Sequence, residues 1–107
     1  MVDDFILVIN EKRLRSRLKS LRTFYKEIQL NGKSNIERGE ILLHLDYFNR
    51  IILELGRRYG TEMLIGDGLA HIRNYKNELT KVNPDPNRMH QSYLGLRNIL
   101  FALMPTV

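Results

Sequence analysis

Proline stands only at positions 84, 86 and 105, and this constrains the fold more than any other feature of the chain. The two strongest turn signals are "NGKSN" at 31–35 and "NPDPN" at 83–87. Between them the apolar residues recur at intervals of three and four rather than alternating. That spacing gathers them on one side of a helix, where a strand would need period two. The chain is therefore expected to be all-α.

The first predicted helix runs from about Asp4 to Leu30. At 100° per residue, Leu7, Leu14, Leu18, Leu21, Tyr25 and Ile28 fall within a stripe of about 60°, and Asn31-Gly32 supplies the stop. "SNIE" at 34–37 has the form of a capping box, Ser34 with Glu37 three residues on, and starts a second helix near Asn35. Its core stripe is Ile41, Leu45, Phe48, Ile52, Leu55 and Tyr59, with Leu42, Ile51 and Leu53 outside it. Gly60-Thr61 reads as a C-cap followed by an N-cap, and a third helix spans about Glu62 to Val82 with Ile65, Leu69, Ile72, Leu79 and Val82 on its apolar face. Gly66 and Gly68 each cost about 1 kcal/mol against Ala inside a helix; Gly68 falls on the apolar face, where a missing side chain lets a neighbouring helix approach. A later start at Asp67, with 61–66 as a loop, is the less favoured reading. Asp85-Pro86 is a start signal, an N-cap acid before a proline at the first helical position. The fourth helix then runs to about Met104, with Met89, Tyr93, Leu96, Leu100 and Leu103 on one face. Four helices with short connections predict a small four-helix, mostly antiparallel bundle, and 107 residues make one helical domain over 1–107.

Charge is distributed less evenly than apolar surface. Residues 11–28 hold Lys12, Arg13, Arg15, Arg17, Lys19, Arg22 and Lys26 against Glu11 and Glu27, a surplus equal to the net charge of +5 of the whole chain. The rest of the sequence holds ten basic and ten acidic residues. Lys12, Arg15, Lys19, Arg22 and Lys26 follow one another at intervals of three and four, a stripe centred roughly 120° from the apolar one. Arg13 and Arg17 lie on the other flank. Like charges at helical spacing repel, and an anionic partner relieves that cost. The expected partner is nucleic acid, contacted along its backbone, or else an acidic protein surface; a merely solvated face is the bland alternative. Five neutralised phosphates on duplex DNA would give a log–log salt slope of roughly −4.5. Phe24 and Tyr25 point toward or beside the core, so backbone contact is expected over base stacking. A membrane surface is disfavoured, because the apolar stripe is needed for the core and there is no tryptophan.

"LELGRRYGTEML" at 53–64 resembles the front half of a helix-turn-helix DNA-binding unit, with small Gly56 four residues before the turn glycine Gly60. It departs from that pattern afterwards: Thr61 stands where an apolar residue is usual, and Gly66 where a branched aliphatic locks the two helices. Two successive bundle helices are the expectation here.

Catalytic chemistry finds little support. No phosphate-cradling glycine loop, zinc-ligand spacing or nucleophile elbow occurs. His44, His71 and His90 stand on separate predicted helices, so no metal site and no cofactor is expected. Glu37 and Glu40 form a carboxylate pair but lack a second acidic pair at helical spacing. The chain is read as a non-enzyme. With no cysteine and no apolar run longer than Ile99–Met104, it has neither a disulfide framework nor the roughly 20 apolar residues of a membrane span, and a cytoplasmic, soluble protein is expected. Apolar residues left outside the core stripes, among them Phe5, Ile9, Leu42, Leu53, Leu94 and Phe101, suggest a homodimer interface. The sequence reading is thus a regulatory binding protein whose basic first helix contacts a polyanion. The alternative is a protein-binding regulator or inhibitor that uses the basic helix or the surplus apolar surface.

Overall fold

A computed structural model of the chain describes residues 10–59 and 62–103, with nothing described of the Tyr59 side chain. Four helices occupy these residues: α1 Glu11–Asn31, α2 Arg38–Tyr59, α3 Glu62–Leu79 and α4 Pro86–Leu103. The all-α bundle expected from the spacing is what forms.

Helix boundaries follow local chemistry. Asn10 takes an extended conformation, and its side-chain oxygen accepts the Arg13 N–H at 3.1 Å, an N-cap that starts α1 at Glu11. The helix expected from Asp4 therefore begins at Glu11 among the described residues, and residues 4–9 lie outside them. At the other end Gly32 adopts a left-handed φ of 79° and donates to the Ile28 carbonyl at 2.8 Å, a position that suits glycine.

The capping box at 34–37 does not form. Ser34 instead donates its hydroxyl to Glu27 Oε1 at 2.6 Å, and the Asn35 N–H donates to the same oxygen at 2.9 Å. The start of α2 passes to Glu37, whose carbonyl accepts the Ile41 N–H at 3.2 Å. The longer version of α3, beginning at Glu62, is present, but it ends at Leu79 rather than Val82. Val82 is consequently 88% exposed instead of lying on the apolar face. Arg38 bonds the carbonyls of Leu79 and Lys81, satisfying groups the helix end leaves open. At α4 the Asp85 carboxylate accepts the Asn87 N–H at 2.9 Å, the expected cap.

The neighbouring pairs are α1–α4, α4–α3, α3–α2 and α2–α1, and each is antiparallel. Gly56 faces Ile65 while Gly68 faces Ile52, so numbers rise along α2 as they fall along α3. The two helices thus lie side by side, unlike the steep crossing of a helix-turn-helix. Tyr25 meets His90 while Arg15 meets Phe101 across α1 and α4. Of the predicted stripes, Leu7 and the Tyr59 side chain lie outside the described residues, Ile28, Ile65 and Leu69 are partly buried against the core, and Leu14, Leu21, Ile41, Leu45, Phe48, Ile52, Leu55, Met89 and Leu100 are wholly buried. Tyr75 joins them and donates its phenol to the Leu21 carbonyl at 2.6 Å, tying α3 to α1 across the bundle.

Candidate nucleic-acid interface

Leu14, Leu18, Leu21 and Tyr25 turn inward on α1, which fixes where its cations go. Arg15, Lys19, Arg22 and Lys26 fall on the flank toward α4 and form one wall of a groove of about 530 Å³ between the two helices. Four of the five cations of the predicted stripe are brought together in this way.

The opposite wall belongs to α4. Pro86–Leu103 contains no aspartate or glutamate. It contributes Arg97, His90, Tyr93, Leu94 and Phe101 to the groove. Among the described residues no carboxylate pairs with Lys19, Arg22, Lys26 or Arg97. Arg15 pairs with Glu11 at 2.9 Å, and both side chains are more than half exposed, so the pair is weak. Glu27 turns away to hold Ser34 and Asn35, and those bonds keep its carboxyl below the usual range.

The groove has an aromatic floor. The Tyr25 hydroxyl lies 2.7 Å from His90 Nδ1, and the two rings meet edge-on at 5.3 Å. Tyr93 packs against Tyr25 at 5.8 Å. Burial pushes the Tyr25 phenol upward in pKa, so it stays neutral at physiological pH. At one end, the guanidinium groups of Arg15 and Arg97 lie 4.9 Å and 5.9 Å from the Phe101 ring centroid. Sequence reasoning missed Arg97, His90 and Tyr93 and placed Leu94 and Phe101 in an oligomer interface. Both are partly buried and packed against the core. The acid-free composition of α4 was the signal available.

Lys12, Arg13 and Arg17 lie elsewhere, around a separate shallow depression with Asn10 and His44. Lys12 and Arg13 are exposed. Arg17 is engaged by α2: one guanidinium nitrogen lies 3.1 Å from His44 Nδ1, the group sits 4.2 Å from the Tyr47 centroid, and its Nε is buried without a hydrogen-bond partner. Of the other residues suggested for an interface, Leu42 and Leu53 are 38% and 42% exposed, and Phe5 and Ile9 lie outside the described residues.

A second groove, of about 520 Å³, lies between α3 and α4. Its charges are matched. The buried Glu78 carboxylate accepts from Lys81 at 2.6 Å and from the Asp85 N–H at 2.8 Å, and Arg88 lies 3.7 Å from Asp85. Of these two grooves, the α1–α4 one combines aromatic surface with cations that no carboxylate pairs among the described residues. Among the described residues, no three metal-ligating side chains converge, and no helix is long and apolar enough to cross a membrane. No protein-family model, curated protein or solved structure matches the chain.

Proposed function

We propose that the protein is a non-enzymatic regulatory binding protein that holds a nucleic-acid backbone along the α1–α4 groove, in the cytoplasm. One observation carries this reading: Lys19, Arg22, Lys26 and Arg97 converge from two helices on a groove where, among the described residues, no carboxylate pairs with any of them. A solvated basic face of one helix needs no such convergence. Phosphates seated there would relieve the like-charge repulsion along α1 and release condensed counterions from the polymer.

The test is fluorescence anisotropy with labelled duplex DNA and single-stranded RNA at about 50 and 200 mM salt. It compares the wild type with a variant carrying Lys19→Ala, Arg22→Ala, Lys26→Ala and Arg97→Ala. Binding that falls steeply with salt and is lost in the variant supports the reading. Absence of binding at the lower salt, with the fold retained by circular dichroism, rejects it.

A second reading rests on Leu42 and Leu53, exposed on the same side of α2. They would serve a homodimer, or the docking of another protein. Sedimentation equilibrium of the wild type and a Leu42→Ser, Leu53→Ser variant separates dimer from monomer, and a protein interface of this kind responds little to salt.

A further inference from the structure

We infer that the α1–α4 groove takes single-stranded nucleic acid, with at least one base inserted between its basic walls, in preference to duplex. This rests on the proposed backbone contact and adds the choice of strand. The juxtaposition that carries it is Arg15, Phe101 and Arg97. Guanidinium groups from two helices lie against one aromatic ring, beside Lys19, Arg22 and Lys26, which no carboxylate pairs among the described residues.

Each part of that cluster favours an unstacked base. A planar guanidinium and an aromatic ring are the surfaces on which single-stranded bases stack, and stacking tolerates any base because every base has a π-face. Phe101 is only partly buried, and its side chain belongs to the groove lining. Lys19 and Arg22 stand on the same wall as Arg15, one and two helical turns farther along, with spacing that follows a strand's phosphates.

Duplex fits less well. A helix that reads duplex enters a major groove about 12 Å wide and must protrude to do so. Here the α1 cations form one side of a trough whose other side is α4, and the aromatic surface is the recessed part. A duplex laid across the rims would present phosphates to Lys19 and Arg22 but keep its bases stacked inside, out of reach of Phe101. A single strand can turn a base inward while its phosphates remain on the rims. A groove of about 530 Å³ is within the usual size range of small-ligand sites, enough for a nucleotide or two rather than a helical segment.

The first measurement uses unaltered protein and three labelled probes of about 12 nucleotides each, within the usual range of single-strand sites. They are an oligothymidylate, a strand of the same length built from abasic sugar-phosphate units, and a blunt duplex. The oligothymidylate is expected to bind at least about tenfold more tightly than either of the others at one salt concentration. Equal binding by the abasic strand, or tighter binding by the duplex, overturns the inference and leaves the backbone contact standing. Binding by none of the three removes both. A Phe101→Leu variant, which keeps apolar bulk at the position, is expected to lose most of the oligothymidylate's advantage and leave abasic-strand binding unchanged. An unchanged advantage in that variant, with native circular dichroism, overturns the role of the ring.

Discussion

Arg17 and His44 meet across the α1–α2 interface with a guanidinium nitrogen 3.1 Å from Nδ1. A guanidinium only donates, so Nδ1 accepts and the neutral ring carries its proton on Nε2. Desolvation by burial is the main cause that lowers the pKa of His44, and the Arg17 charge adds to it. Between the lowered folded value and the ordinary 6.5, the unfolded chain binds a proton that the folded chain does not. Stability is therefore full above 6.5 and falls as pH drops through that window. Thermal melts at steps between pH 7.5 and 5 should show the decline. A His44→Asn variant, which keeps an acceptor near Nδ1 and cannot titrate, should show a flatter profile.

Glu78 behaves in the complementary way. Burial works against its charge, but the bonds from Lys81 and the Asp85 N–H outweigh it, and the carboxyl titrates below the ordinary 4.5. The stability it contributes is present above 4.5 and lost as pH falls through the folded value. Glu78→Gln should cost about 1–3 kcal/mol at neutral pH, read from urea denaturation midpoints. The gap between variant and wild type should close in acid; a constant gap would mean that the charge contributes nothing.

Two glycines should respond in opposite directions. A Cβ on Gly56 would run into the Ile65 side chain, whereas one on Gly66 meets nothing within 4 Å. Gly66→Ala is expected to stabilise by up to about 1 kcal/mol through helix propensity and a restricted unfolded chain. Gly56→Ala must displace Ile65 and should destabilise by about 1–3 kcal/mol. Both are read by chemical denaturation with unchanged m-values.

What the sequence made legible depended on whether one helix was enough to see it. The stripes Leu14–Leu18–Leu21 and Ile41–Leu45–Phe48–Ile52 follow from period alone, and so does the line of cations on α1. The Asp85 cap and the Gly32 stop are equally local. The capping box at Ser34 failed because Glu27, seven residues earlier, offers a carboxylate that a pattern within 34–37 does not contain. Val82 had the right angle for the apolar face, but the turn at Thr80 and Lys81 ends the helix first, with Arg38 holding the open carbonyls. The groove was half visible for a related reason. The α1 cations point at whichever helix lies beside them, and only the packing of α4 there brings Arg97, Tyr93 and Phe101 into the same space.

Arg17 and Lys19, two residues apart on α1, should separate stability from binding. Arg17 stacks on Tyr47 and bonds His44, with its Nε buried; Lys19 is exposed on the groove wall. Arg17→Ala is expected to cost about 1–2 kcal/mol of folding stability, from a lost cation–π contact and a charged hydrogen bond. Its effect on nucleic-acid affinity should be small, because that charge is held on the α2 side of the helix. Lys19→Ala should leave stability within about 0.5 kcal/mol. It should also reduce the slope of log affinity against log salt by about 0.7 for a single strand, the share of one phosphate contact. Parallel denaturation curves and salt titrations on the two variants make the comparison. An unchanged slope for Lys19→Ala would take Lys19 out of the phosphate-contacting set, and a reduced slope for Arg17→Ala would put the anion's path on the other flank of α1.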